Sequence, residues 1–353
     1  MANRPTAGFV RGVPLMADIA TRKPIRTADM RTWAIILVIL VAIAALVRAS
    51  DPERFAWVQS FFVIFGSLLI QALPFVLIGA LAAALIEVFV PLGALERLAK
   101  LPRPLQLPVA GLAGIAFPIC ECGSVPIARR LIQKGLMPSA GITFMLAAPV
   151  LNPVVIASTF FAFRGRSSLW TMVIGRFTLG LLVAIAVGWV VGARSKEDLL
   201  RPRADDAHHA KHVLELGPPE ARWRLFFVHL GNDFLYMGRF LLLGATIAAM
   251  VQTFLPASII SRVASTPVLD VLVLMGLAFV LSLCSESDAF IAASFVQFGP
   301  AAQLAFLVSG PMIDFKLSAL YLGTFRKGFL RTLVIAVVAT TFVGAMWVKV
   351  ISG

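Results

Sequence analysis

Long apolar runs alternate with short polar segments along the chain, and the runs lack the period-two alternation of half-buried strands, so they predict helices. Runs at Trp33 to Val47 and near 58–90, 139–163, 169–193, 233–256, 301–325 and 329–351 are long enough to enter or cross a hydrocarbon core of about 30 Å. They predict about seven crossings. Two further segments, 107–134 and 267–299, begin apolar and then break at a polar cluster. These read as re-entrant hairpins or broken helices, which survive only where protein or a watery cavity surrounds them.

Composition makes the bilayer the solvent. Hydrophobic residues are 59% of the 353 and mean hydropathy is +0.91, whereas a soluble domain has roughly 45–50% apolar residues. Helices and closed barrels alone satisfy their backbone in lipid, and the pattern selects an all-α polytopic membrane protein. The formal charge of +13 does not point to nucleic acid, because most Lys and Arg lie in short segments beside apolar runs, where they orient a chain in the membrane.

Residues 1–32 carry Arg4, Arg11, Arg22, Lys23, Arg26 and Arg31 against Asp18 and Asp29, and read as a basic cytoplasmic arm before a first transmembrane helix at 33–50. A cleaved signal peptide would have a much shorter charged region. The polar stretch 194–224 is the expected cytoplasmic linker between a first membrane repeat, 55–193, and a second, 225–351. Within it, His208 and His212 share a helix face and leave metal binding or a solvated linker open. The expected location is the bacterial inner membrane, multi-pass, with the N-terminus in the cytoplasm.

The halves repeat each other. A shift of 165 lays Phe61, Phe62 and Val63 on Phe226, Phe227 and Val228, and Gly79 on Gly244. A shift of 164 lays Cys120 on Cys284, Ile127 on Ile291 and Gln133 on Gln297, so the polar clusters correspond. A shift of 162 lays Pro149 on Pro311, Asn152 on Asp314 and Phe163 with Arg164 on Phe325 with Arg326. Three membrane helices and one re-entrant or broken element per half make an odd count, which turns the halves into inverted repeats, with the helix at 33–50 as an extra. Loop charges mostly agree: Glu96, Arg97, Lys100 and Arg103 would be cytoplasmic and Ala257 to Pro267, with Arg262 alone, external. Arg164 and Arg166, on the external side, dissent.

Chemistry concentrates at the breaks. The first cluster runs Phe117-Pro118-Ile119-Cys120-Glu121-Cys122-Gly123-Ser124-Val125-Pro126, and Pro126 suits the first turn of a new helix, whose free N–H groups favour anions. Cys120 and Cys122 are too close in sequence for an ordinary structural bridge. The second cluster is Cys284-Ser285-Glu286-Ser287-Asp288, where Ser285 fits a helix cap with Asp288 in the first turn. Capping does not explain Glu286, because an acidic group at the middle of a span costs about 2.5–3.5 kcal/mol. Asn152, in Ala148-Pro149-Val150-Leu151-Asn152-Pro153, and Asp314, in Gly310-Pro311-Met312-Ile313-Asp314-Phe315-Lys316, interrupt otherwise apolar spans, where proline frees backbone carbonyls. Glu87, Arg176, Arg239 and Asp270 are read as interfacial groups that snorkel.

Cys-Glu-Cys-Gly-Ser-Val-Pro at 120–126, followed by Leu-Ala-Ala-Pro-Val-Leu-Asn-Pro at 146–153, resembles the predicted permease family that includes the organoarsenical efflux permeases, over roughly 55–350. In the arsenical branch cysteines recognise trivalent arsenic. The resemblance implies that role for Cys120, Cys122 and Cys284, which are the candidate metal ligands.

The expectation is a secondary transporter, not an enzyme, in which two tips meet near the bilayer middle. Cys120, Glu121, Cys122, Gly123, Ser124, Cys284, Ser285, Glu286 and Asp288 would line one solute site, flanked by Asn152 and Asp314. The tips are expected to be free of cations, with Glu121, Glu286, Asp288 and Asp314 supplying the proton or cation couple. Thiols beside carboxylates suit a metal or metalloid species, and helix N-termini suit a small anion. No Walker motif, haem-attachment motif or dinucleotide loop is visible, so no cofactor is expected. The alternatives are a membrane-embedded thiol redox enzyme and a passive channel. The partners are the bilayer, the solute and its coupling ion, with room for a partner membrane protein.

Overall fold

The computed structural model describes residues 56–90, 101–116, 119–192, 196–202, 219–254 and 268–352. The basic arm, the helix at 33–50, most of the linker with both of its paired histidines, and Glu96, Arg97, Lys100 and Arg262 lie outside the described residues. The chain divides into two compact units, Met1–Gln59 and Ser60–Gly353, and nearly all described residues belong to the second.

Every element of regular structure among the described residues is a helix. In chain order they are α1 Ala56–Phe89, α2 Arg103–Ala116, α3 Glu121–Gln133, α4 Pro138–Leu151, α5 Pro153–Ala162 and α6 Leu169–Val191. A short turn, α7 Lys196–Leu199, precedes α8 Pro219–Phe254, α9 Leu269–Leu281, α10 Asp288–Ser294, α11 Pro300–Ser309, α12 Phe315–Thr324 and α13 Lys327–Ser352. The order of long and short pieces in α1–α6 recurs in α8–α13.

Five helical stretches are long and apolar enough to cross a membrane, among them Pro138–Ala162, which holds α4 and α5. The chain is therefore a multi-pass membrane protein. The expected single span at 301–325 is instead two pieces, α11 and α12, because Pro311 cannot donate to the helix ladder and Asp314 caps a new start: its Oδ1 accepts from Leu317 N at 2.6 Å. Asn152 divides α4 from α5 in the same way, its side chain accepting from Val154 N at 2.9 Å. At 14 and 13 residues, α2 and α3 are each about 20 Å long and too short to cross alone. Residues 219–224, expected in the linker, are the first turns of α8.

Burial separates centre from rim. In the most apolar stretch of α4–α5, 78% of residues are buried, against 17% in α1 and in α13, whose large side chains such as Ile70, Val343 and Trp347 face outward. In lipid the apolar rim carries no penalty, so tight packing at the centre does the specifying. Within the first half α2 packs on α4 and α4 on α6; within the second α9 packs on α11 and α11 on α13. Between halves α3 packs on α12, α10 on α5 and α6 on α13. Small residues permit the closest crossings: a Cβ on Gly79 would collide with the backbone of Gly123, and one on Gly244 would lie 2.8 Å from Lys316 Cα.

Candidate functional site

The first tip leaves Cys120 in extended conformation and enters α3 at Glu121, five residues ahead of the expected start. Pro126 therefore lies inside the helix, where its missing N–H withholds a partner from the Cys122 carbonyl four residues earlier. Ser124 donates to the carbonyl of Glu121 at 2.9 Å, tightening this first turn. Gly123 is taken up by the crossing with Gly79.

The second tip leaves α9 through Ser282, whose φ of 47° is the left-handed conformation, unusual for serine. The Ser282 hydroxyl meets Phe315 N at 3.3 Å, which ties the tip to the start of α12. Ser285 is not the cap expected from its spacing. Ser287 takes the N-cap position, Asp288 stands in the first turn as expected, and the Ser285 hydroxyl donates to Glu121 Oε2 at 3.0 Å.

Two ion pairs join the halves at these tips. Lys316 Nζ, on α12, lies 3.6 Å from Glu121 Oε1 and 3.7 Å from Asp314 Oδ2. Arg176, on α6, grips Asp288 with both ends of its guanidinium, at 2.8 and 2.7 Å, and adds the Thr159 hydroxyl at 3.0 Å and the Ser285 carbonyl at 3.2 Å. All five charged groups in these contacts are buried. The pairs differ in closure: Asp288 has both oxygens bonded, whereas Glu121 Oε1 and Asp314 Oδ2 are buried without a hydrogen-bond partner, as is Glu286 Oε2. The tips are thus not free of cations, and Arg176, fully buried, does not snorkel.

The three thiols are free and buried. Cys122 is among the charge neighbours of Cys120, and those of Cys284 include Glu121, Lys316 and Cys122. Among the described residues no three Cys, His, Asp or Glu side chains are grouped to hold a metal ion, so Cys120, Cys122 and Cys284 do not form a preassembled metal centre.

A family model described as a predicted permease matches residues 57–350, and therefore both tips and both ion pairs. The chain belongs to this predicted permease family. Over 288 residues it is 40% identical to the UPF0718 protein YcgR of Bacillus subtilis, covering 81% of this chain and 96% of the relative. Over 270 residues it is 34% identical to a Streptococcus mutans protein named "Putative two-component membrane permease complex subunit", covering 76% of this chain and 87% of the relative. No solved structure matches significantly.

In this permease the Cys-x-Cys tip, Cys284, Ser285, Glu286, Asp288 and Asp314 come together at the contact between halves, whereas Asn152 spends its side-chain oxygen on the start of α5. Lys316, Arg176 and Thr159 are the site residues that sequence reasoning missed. Lys316 had a signal: it interrupts an apolar span and stands where the repeat has Val154, and a charge at membrane depth needs a partner. Several other charges along the helices are also engaged. Arg130 binds Asp233 at 2.8 Å with Glu87 at 3.6 Å, Lys349 binds Asp270 at 3.1 Å, and Arg239 stacks 4.0 Å from the Tyr236 ring.

Proposed function

We propose that this permease is a secondary transporter of the bacterial inner membrane that moves a small solute, a metal or metalloid species or a small anion, through a midplane site between two inverted halves. The observation that carries the reading is the contact of Lys316 with Glu121 and Asp314, whose facing oxygens have no hydrogen-bond partner, a polar junction between the halves with bonding capacity to spare. Buried carboxylate oxygens without hydrogen bonds are costly, so their retention favours a ligand or coupling ion that uses them. Cys120, Cys122 and Cys284 add soft donors at the same place. Discontinuous helices meeting at a repeat interface suit rocking of one half against the other, with a proton or cation as the driving couple. The basic arm and the linker would be cytoplasmic. The Streptococcus relative is named as a subunit of a two-component permease complex, and a second membrane subunit is proposed here by that likeness alone.

The test is flux. Purified permease in proteoliposomes, given trivalent arsenicals, soft divalent metals or small oxyanions under an imposed pH or cation gradient, should accumulate or expel at least one class, and Glu121→Gln should abolish it. Equal flux in protein-free vesicles for every class, or full flux in Glu121→Gln, would overturn the proposal.

A further inference from the structure

Each of two buried carboxylates has one oxygen fixed and one left over. Glu121 Oε2 accepts from Ser285 at 3.0 Å, and Asp314 Oδ1 accepts from Leu317 N at 2.6 Å. The second oxygens, Glu121 Oε1 and Asp314 Oδ2, have no hydrogen-bond partner although both residues are 1% exposed. Both lie near one atom, Lys316 Nζ, at 3.6 and 3.7 Å. Those distances exceed a hydrogen bond, which for an ammonium and a carboxylate is about 2.7–2.9 Å. The ammonium is held between the carboxylates by charge, not by directed bonds.

Resting on the reading of this place as the solute site, we infer that Glu121 and Asp314 form a cation-binding site whose resident occupant is Lys316, and that a cation enters by exchange with that ammonium. The repeat argues for a special purpose: the counterparts of Glu121, Asp314 and Lys316 are Ser285, Asn152 and Val154, so the first half supplies one charge, the second supplies two, and none has a charged equivalent. The charge count argues for a cation. Asp288 is neutralised by Arg176, which bonds both of its oxygens, and this leaves Glu121 and Asp314 against Lys316, with Glu286 in the charge environment of Glu121. Two carboxylates facing one ammonium leave an excess of negative charge that repels an anion and attracts a cation, and low dielectric strengthens both effects. A loosely held side-chain ammonium compensates the carboxylates when no ion is bound, yet gives way without breaking hydrogen bonds. The thiols of Cys122 and Cys284, in the charge environment of Lys316, favour a soft cation over a hard one.

The test is ligand-dependent thermal stability of the full chain in detergent, with potassium, ammonium and cadmium as probe cations and chloride and phosphate as probe anions, because a ligand of the native state alone raises the melting temperature by mass action. The inference expects a cation to stabilise the wild type, Glu121→Gln to abolish the effect, and Lys316→Met to bind that cation at least tenfold more tightly, since the competing occupant is gone. Cadmium ahead of potassium assigns a soft ion, and the reverse a hard one. Should Lys316→Met fail to fold, the charge-free variant Glu121→Gln/Asp314→Asn/Lys316→Met replaces it and must lose the cation effect that the wild type retains. Stabilisation by anions that Lys316→Met removes, or no cation effect in the wild type, overturns the inference. Flux that persists in either event leaves the transport reading standing, and cation binding without flux of any solute removes that reading instead.

Discussion

Ser285 donates its hydroxyl to Glu121 Oε2 at 3.0 Å, and the 164 residues between them are the offset that superposes one half of the chain on the other. Equivalent groups in two bodies related by a twofold can touch only on the axis. The contact of α6 with its counterpart α13 is what such a relation would give, as are the crossed pairs α3 with α12 and α10 with α5. Under the proposed inversion, Glu121 and Ser285 mark the axis at the point where the two tips meet.

Removing that hydroxyl leaves Glu121 with neither oxygen hydrogen-bonded. Ser285→Ala is expected to lower stability by about 1–3 kcal/mol, the cost of an unsatisfied buried acceptor, and to lower flux further than stability explains. Melting temperature in detergent and flux in vesicles, measured on one preparation, check this. A Ser285→Thr variant, which keeps the hydroxyl, should retain more of both.

Both oxygens of Asp288 are hydrogen-bonded to Arg176, so the pair's role here is to fasten α10 to α6. Asp288→Asn or Arg176→Met alone should cost about 3–5 kcal/mol, because each leaves a buried charge uncompensated. The double variant Arg176→Met/Asp288→Leu should recover most of that loss. Thermal unfolding of the three variants checks the prediction, and full recovery of flux in the double variant would place Asp288 outside the coupling machinery.

Two glycines of α1 should respond in opposite directions. Gly79 crosses the tip at Gly123 with no room for a Cβ, so Gly79→Ala must push the tip aside and should cost about 1–3 kcal/mol with loss of flux. Gly66 has nothing within 4 Å of its would-be Cβ, so Gly66→Ala should be neutral or gain about 0.5–1 kcal/mol of helix stability. Paired melting curves decide between them.

The membrane-embedded all-helical class, the positions of the apolar stretches and the two breaks were legible, because apolar run length and proline spacing report directly on helices in lipid. What was not legible was partnership. The spacing around Ser285 fits a helix cap equally well, and only the approach of the other half brings Glu121 within reach of its hydroxyl. Arg176 looks interfacial in its run, yet its partner Asp288 is 112 residues away. Arg129 gave no sign of its role: its guanidinium bonds the carbonyls of Thr324 and Arg201, each at 3.0 Å, and so clasps the end of α12 to the chain that follows α7. Long-range pairs of this kind depend on the relative placement of the halves, which local pattern does not encode. Pro126 misled for another reason, since a proline inside a helix and one at its first turn give the same local signal.

The central claim, that the solute passes between the two tips, is tested most directly by joining them. In proteoliposomes under turnover conditions, a short bis-methanethiosulfonate reagent applied to a Cys120→Ala variant, whose remaining thiols are Cys122 and Cys284, should link those two residues and stop flux, and a reductant should restore it. Cross-linked permease that transports at the unlinked rate would contradict the account.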